Sequence, residues 1–316
     1  MQHYTHNLVE DYVFILGAED PEMLAIRGVL DACSSHVNGG WIITQACVDN
    51  GGEPQAVMSH NAYSATLLKD MSHPFHVYYP SEIDGVLGYS DEVPMEDRDG
   101  IIPVYIESGL IDVDRRHAVI IDHHRPGDPG FNKQPGEYWQ GSSLGQLWNF
   151  LESCLGFTEQ QLKEIFPSNR LLIAASDHCP SAAFAGLCPG IDVDELRTHR
   201  RKVVAQYRNI PVSELSARID KAIQQILNSP VCELGGYYYR DCKLGEIQEL
   251  NHAQLELGIP VEYIMLPTPR SPRTKVGLIG SINPELIRLW MKSKQSELVD
   301  IYGSPERGYA GGYLRN

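Results

Sequence analysis

The sequence predicts an α/β protein with an open, mainly parallel sheet in its first half and a smaller α/β domain at its C-terminus. Two observations lead to this fold class. In the first half, short apolar runs alternate with helical patterns, which is typical of a parallel sheet covered by helices. After residue 230 a second, shorter alternation of strand and helix patterns begins. The length of 316 residues agrees with two domains.

The first half contains five apolar runs that predict strands. These are residues 12–16, 41–44, 75–79, 101–106 and 118–121. Asp20 followed by Pro21 is typical of a helix start, so a helix is predicted from there to about residue 33. A Ser-capped helix is predicted over residues 142–151, and another helical stretch leads into residues 174–180.

The second half begins with a charged, periodic stretch at residues 192–228, which predicts one or two helices between the domains. Strands and helices then follow at residues 237–240, 248–257, 261–266, 275–279 and from 284 onward. The predicted division is therefore a first domain at 1–190, a helical linker at 191–229 and a second domain at 230–316.

Composition limits the class of partner and the compartment. The formal net charge of −15 opposes binding to long duplex nucleic acid, which depends on many Lys and Arg contacts to phosphates. No apolar stretch reaches the length of a membrane span, and the N-terminal residues do not resemble a secretory signal. Seven cysteines without a C-x-x-C pair suit reduced thiols. We therefore expect a cytoplasmic protein that does not bind a membrane.

Acidic and histidine side chains follow three of the predicted strands. Because ligands bind beyond the carboxyl ends of parallel strands, we expect these side chains to meet at one edge and to hold a metal. Taken singly, each has an ordinary alternative, such as a helix cap or a surface residue. The residues are Asp20 and Glu22 after the first strand, Glu107 after 101–106, and Asp122, His123 and His124 after 118–121.

The Asp122-His123-His124 triplet at a strand end resembles the signature of the DHH phosphoesterases that carry an appended DHHA1-type domain. This superfamily includes single-strand exonucleases, nanoRNA and phosphoadenosine phosphatases and, with a different second domain, manganese pyrophosphatases. The resemblance spans nearly the whole chain. It is strongest over residues 118–151, where the triplet is followed by a loop and a Ser-capped helix as in the family.

The resemblance implies a role for each strand-end residue. Asp20 and Glu22 keep the carboxylate spacing of the first family motif, but Leu16 stands where the family has a histidine. Glu107 occupies the position of an aspartate that bridges two metals. In the third motif, the resemblance implies the following roles: His123 binds a metal, His124 meets the substrate phosphate and Asp122 supports the site.

Asp177 matches the fourth motif, an aspartate on a helix that completes one metal site. One site would thus have Glu22, Glu107, His123 and Asp177, a mixed nitrogen and oxygen set suited to Mn²⁺ or Mg²⁺. The second site would have Asp20 and a share of Glu107, with His178 as a candidate replacement for the missing histidine.

The second domain is expected to contact the substrate. Where family members carry a glycine-rich loop with a histidine, residues 303–312 are rich in glycine but lack that histidine. Arg307 or Tyr309 could bind the substrate instead, or this stretch could be an ordinary turn. Arg270 and Arg273, in a Pro-rich loop, could clamp a phosphate through bidentate hydrogen bonds.

Three functions are compatible with this pattern. The first is a divalent-metal-dependent phosphoesterase that acts on a nucleotide, a short single-stranded oligonucleotide or another small phosphoester. The second is a catalytically degenerate protein of the same fold that binds a nucleotide or a metal without turnover. The third is transfer of a phosphoryl group to a small molecule. A homodimer is compatible with all three.

Overall fold

The chain divides into two units in a computed structural model. The structure describes residues 6–7, 11–38, 41–45, 47–49, 54–56, 75–76, 79–80, 87–88, 101–108, 118–124, 126–243, 247–268 and 272–315. Unit 1 comprises residues 1–133 and 139–174, and unit 2 comprises residues 134–138 and 175–316.

Unit 1 contains the parallel sheet that the apolar runs predict. The described strands of the whole unit are, in chain order, β1 (His6–Asn7), β2 (Asp11–Leu16), β3 (Val37–Asn38), β4 (Trp41–Gln45), β5 (Cys47–Asp49), β6 (Pro54–Ala56), β7 (Phe75–His76), β8 (Tyr79–Pro80), β9 (Leu87–Gly88), β10 (Ile101–Ile106) and β11 (Val119–Ile121). Four of them form one sheet in the order β11-β10-β2-β4, with every pair parallel. The predicted α/β class with a parallel sheet is confirmed.

The helices of unit 1 follow the start signals in the sequence. They are α1 (Pro21–Ser34), α2 (Tyr138–Gly141), α3 (Ser143–Ser153), α4 (Glu159–Ile165) and α5 (Arg170–His178); Tyr138 and the residues of α5 after Ala174 belong to unit 2. Asp20 caps α1, because its Oδ1 accepts a hydrogen bond from the Met23 amide at 2.8 Å. Ser142 caps α3 in the same way through the Gly145 amide, at 3.0 Å.

The helices of unit 1 bury their apolar stripes against the central strands. Among the described residues, these helices and strands share one hydrophobic core. From β2 this core contains Phe14 and Leu16, and from α1 and α3 it contains residues at helical spacing. The α1 members are Met23, Ile26, Val29, Leu30 and Cys33, and the α3 members are Leu144, Leu147, Trp148, Phe150 and Leu151. The core fixes the sheet and therefore the position of its carboxyl edge.

The structure corrects the sheet assignment of the strand predicted at residues 75–79. Phe75–His76 pairs antiparallel with β5 in a separate three-stranded sheet, in the order β6-β5-β7, and not with the parallel sheet. Residues 77–78 lie outside the described part of the chain. A short apolar run predicts a strand but does not specify its partner, because pairing depends on contacts that are distant in sequence.

Unit 2 contains a six-stranded mixed sheet. Its strands are β12 (Val231–Leu234), β13 (Tyr237–Asp241), β14 (Val261–Met265), β15 (Lys275–Ile279), β16 (Leu298–Ser304) and β17 (Tyr309–Leu314), in the order β12-β13-β14-β15-β17-β16. Only the β13–β14 pair is parallel. The further helices are α6 (Pro180–Phe184), α7 (Val193–Tyr207), α8 (Val212–Asn228), α9 (Leu250–Leu257) and α10 (Pro284–Ser293).

The described residues of unit 2 pack into two hydrophobic clusters. One contains Trp290 of α10 together with buried residues of β15 and β17. The other joins α7 and α8 to α9 and β14, through residues such as Ile219 and Val261. The two helices predicted as a linker thus share a core with the second sheet. The predicted domain boundaries stay a prediction.

The structure corrects the prediction for the glycine-rich C-terminal stretch. It was predicted as a loop or turn, but β16 and β17 form an antiparallel hairpin around a short 3-10 helix, Pro305–Arg307. Gly311 leaves room for the hydroxyl end of the Tyr302 side chain, since a Cβ there would come within 2.9 Å of the tyrosine oxygen. In the described part of the chain, no helix combines the length and apolar character needed to cross a membrane.

Candidate metal centre

The carboxyl edge of the parallel sheet is defined by three strand ends in register. Leu16, Ile106 and Ile121 are neighbours across β2, β10 and β11. Beyond them the backbone stays paired, because the Gly17 amide donates to the Ile106 carbonyl at 2.8 Å and the Glu107 amide donates to the Ile121 carbonyl at 3.0 Å. The residues that follow the three strands therefore start from the same edge.

Glu107 is held at this edge in an uncommon backbone conformation. Its φ of 49° lies in the left-handed region, which non-glycine residues rarely adopt. Gly17 makes the arrangement possible, because a Cβ at that position would lie 2.3 Å from the Glu107 carbonyl oxygen. The next residue, Ser108, donates from Oγ to the Ile15 carbonyl at 2.8 Å. A strained position fixed by several contacts is common at functional sites.

Glu22 reaches the same region from the first turn of α1. Its side chain is buried, with 1% of the residue exposed, and Oε1 accepts a hydrogen bond from the Leu144 amide at 3.0 Å. Leu144 lies in the first turn of α3, so the carboxylate lies at the positive ends of two helix dipoles.

Asp122 organises the loop after β11. Its Oδ1 accepts hydrogen bonds from the amides of His123 and His124, at 2.6 and 3.0 Å, and lies 2.8 Å from Nδ1 of His124. Burial alone would raise the pKa of Asp122, but the hydrogen bond and the charge of His124 lower it, and the pKa lies below its ordinary value. An ionised Asp122 therefore sets the orientation of the His124 ring.

Gln146 holds the same loop from α3, a role that the sequence did not reveal. Its Oε1 accepts from the Asp122 amide at 3.1 Å, and its Nε2 donates to the Asp122 carbonyl at 3.1 Å and to the Gly141 carbonyl at 2.9 Å. Gly130 packs closely against this clamp, because a Cβ there would lie 2.5 Å from Nε2 of Gln146 and 2.7 Å from Cβ of His123.

The structure brings Glu22, Glu107 and His123 together at the sheet edge. Potential ligand atoms of the three side chains all lie within 4.8 Å of one another, and Nε2 of His123 lies 3.4 Å from Oε1 of Glu107. His124 forms a second such group with Glu107 and His123. Glu107 and His123 are almost completely buried. A buried set of carboxylate oxygens and an imidazole nitrogen could bind a divalent metal ion.

The structure places Asp20 and Leu16, which the resemblance relates to the first DHH motif, in different surroundings. Asp20 is half-buried and caps α1, and it belongs to neither of the two ligand groups found among the described residues. The Leu16 side chain, at the position where the resemblance would place a histidine, is fully buried in the hydrophobic core. The additional metal site predicted around Asp20 stays a prediction.

Asp177 and His178 lie in the last turn of α5, on the part of this helix that belongs to unit 2. His178 is fully buried and Asp177 is half-buried. Their predicted roles as metal ligands stay predictions.

The predicted substrate contacts all belong to unit 2. Arg270 lies outside the described residues. Arg273 forms an ion pair with Asp300 at 2.5 Å, and its guanidinium lies 3.9 Å from the centre of the Tyr313 ring. Arg307 lies at the end of the short 3-10 helix in the hairpin, with its guanidinium 5.9 Å from the centre of the Tyr309 ring. Their role in substrate binding stays a prediction.

Comparison with protein-family models finds no match to the sequence. Comparison with curated proteins finds no similar protein.

Proposed function

We propose that the protein is a divalent-metal-dependent phosphoesterase of the DHH superfamily that acts on a small phosphorylated substrate. The observation that supports this most directly is the buried group of Glu22, Glu107 and His123 at the carboxyl edge of a parallel sheet. Ligand sites of open α/β sheets lie at this edge. The Asp122-His123-His124 triplet supports the choice of superfamily.

The donor set fits a hard divalent cation. Two buried carboxylates close to one another repel, and burying them is costly unless positive charge is supplied. Carboxylate oxygens with one imidazole suit Mn²⁺ or Mg²⁺. As a fourth ligand we propose Asp177, because the resemblance places the metal-binding aspartate of the fourth motif at this position.

Glu22, Glu107 and His123 would hold the metal ion, which would supply a water activated near neutral pH and would polarise the phosphoryl oxygens. The chain's own contribution is positioning. His124 is the histidine of the triplet with an accessible side chain, 17% exposed, and Asp122 fixes its ring. We assign His124 the role of donating a hydrogen bond to a phosphoryl oxygen, where it would stabilise developing negative charge.

The proposed substrates are nucleotides, short single-stranded oligonucleotides and other small phosphoesters. The net charge of −15 favours compact substrates whose phosphates are neutralised locally at a metal site over long polyanions.

A second candidate function is binding of a metal or nucleotide without turnover. It is favoured by Leu16, which is buried in the core at the position of a metal-binding histidine in the family. A protein with one metal position instead of two could keep the fold and the ligand affinity and lose the chemistry.

The two candidates are separated by a hydrolysis assay. The purified chain is incubated with Mn²⁺ and a panel of nucleoside phosphates, short oligonucleotides and bis(p-nitrophenyl) phosphate. We expect product from at least one substrate, loss of that product in His123→Ala, and its retention in His36→Ala. His36 is a matched control because it lies beyond the end of α1 and contacts the Ala32 carbonyl.

Turnover that persists in His123→Ala would contradict the proposal that this metal centre catalyses the hydrolysis. Tight binding of Mn²⁺ or a nucleotide by the wild type, with no product across the panel, would favour the binding protein.

A further inference from the structure

Two buried thiols of unit 2 lie next to each other. Sγ of Cys179 and Sγ of Cys188 are 3.3 Å apart, and the two residues are 5% and 2% exposed. Cys179 precedes the first residue of α6, and Cys188 lies in the loop that follows this helix. In a disulfide the sulfurs lie about 2.05 Å apart, so the two sulfur atoms must approach each other further for the bond to form.

The two thiols also contact each other in a way that lets either sulfur donate a hydrogen bond to the other. They are nine residues apart in the sequence, so a disulfide between them would close a short loop. Two adjacent thiols are the arrangement that thiol–disulfide exchange needs, because the second thiol can attack the mixed disulfide that the first one forms.

We propose that Cys179 and Cys188 are a site of reversible disulfide formation by exchange with a low-molecular-weight disulfide such as oxidised glutathione. In the first step one of the two thiols loses its proton and attacks one glutathione sulfur, the glutathione S–S bond breaks, and one glutathione leaves and takes up a proton. In the second step the other protein thiol loses its proton and attacks the protein sulfur of this mixed disulfide. The second glutathione leaves as a thiol, so two protein thiols are oxidised and one glutathione disulfide is reduced.

The test equilibrates the full chain in glutathione buffers of increasing oxidised fraction, starting from both the reduced and the oxidised protein. Free thiols are then alkylated, and the unreduced digest is analysed by mass spectrometry. We expect a cross-linked peptide that joins Cys179 to Cys188 and lacks two hydrogen atoms. It should appear at a lower oxidised fraction than the mixed disulfide of glutathione with the exposed Cys154.

The variants Cys179→Ser and Cys188→Ser should lose the cross-linked peptide, whereas Cys33→Ser, which removes another buried cysteine, should keep it. Closing this short loop should also raise the thermal midpoint of the oxidised chain by roughly 5 °C. The proposal is overturned if both starting materials converge on alkylated Cys179 and Cys188 in a buffer where Cys154 is already mainly a mixed disulfide.

Discussion

Two buried glutamates of the chain have opposite surroundings. In unit 2, Glu262 is 1% exposed and accepts a hydrogen bond from the Trp290 indole at 2.9 Å. It also pairs with the ammonium groups of Lys243 and Lys294, at 2.7 and 2.9 Å. In unit 1, Glu107 is 2% exposed, and its neighbours include the carboxylate of Glu22 and the imidazole of His123.

The difference indicates which cluster is structural and which is suited to a ligand. The charge of Glu262 is compensated by two cationic side chains of the same unit, so this cluster is satisfied when the chain folds. At the sheet edge two carboxylates and an imidazole offer ligand atoms within 4.8 Å of one another, a set that could bind a cation. Variants of the two glutamates should therefore respond differently to added metal.

The largest expected effect is on stability in unit 2. Glu262→Gln removes the charge that Lys243 and Lys294 share, and should lower the free energy of unfolding by about 3 kcal/mol. Urea denaturation followed by circular dichroism measures this change. The exposed Glu233→Gln on β12 is the control and should stay within about 0.5 kcal/mol of the wild type. An equal loss in both variants would show that Glu262 is not specially held.

The stability difference between the wild type and Glu262→Gln should depend on pH. Burial alone would raise the pKa of Glu262, but hydrogen bonds from Lys243, Lys294 and Trp290 lower it below its ordinary value of 4.5. A lowered carboxyl pKa stabilises the folded state above the unfolded pKa, and this stabilisation disappears as pH falls through the folded pKa. The stability difference between the wild type and Glu262→Gln should therefore narrow below pH 4.5 and stay constant above it.

The next effect concerns metal and unit 1. At a free Mn²⁺ concentration of about 100 times the dissociation constant, the wild type should gain about 2.7 kcal/mol of unfolding free energy. Glu107→Gln removes a proposed ligand and should show no gain at that concentration. The exposed Glu159→Gln on α4 should gain as much as the wild type. A full gain in Glu107→Gln would mean that the metal binds elsewhere.

Gln146 tests whether the loop must be held for the ligands to be in place. Gln146→Leu leaves the amide and carbonyl of Asp122 without their clamp, so Mn²⁺ affinity, measured by calorimetry, should fall about tenfold. That fall corresponds to about 1.4 kcal/mol. Gln160→Leu, on the exposed side of α4, is the matched control and should bind as the wild type does. Unchanged affinity in Gln146→Leu would show that the backbone alone fixes the loop.

The convergence at the sheet edge could be predicted because it depends on local patterns. Apolar runs such as residues 12–16 predicted the central strands, and parallel strands place their carboxyl ends together whatever the details of packing. Asp20 before Pro21 predicted the start of α1, since capping involves residues three apart. Periodicity and local start signals were sufficient for these elements.

The remaining features depend on contacts between distant parts of the chain. The Gln146 clamp joins residues 24 positions apart, and an isolated Gln in a helix gives no sign of it. Gly311 suggested a loop, but it lies in a strand and leaves room for the hydroxyl end of Tyr302 on the neighbouring strand. The strand at 75–76 was assigned to the wrong sheet for the same reason. Side-chain packing across elements leaves little trace in a single sequence.

The smallest effect separates the two interpretations of Asp20. If Asp20 only caps α1, then Asp20→Asn should leave the free energy of unfolding unchanged, because Asn caps as well as Asp. Asp20→Ala should lower it by about 1 kcal/mol. We expect both variants to bind as many Mn²⁺ ions as the wild type, since Leu16, at the position where the resemblance implies a metal-binding histidine, is packed in the core. Calorimetric stoichiometry decides the question. If Asp20→Asn bound fewer ions at unchanged stability, Asp20 would be a metal ligand, and the sheet edge would hold a second cation despite Leu16.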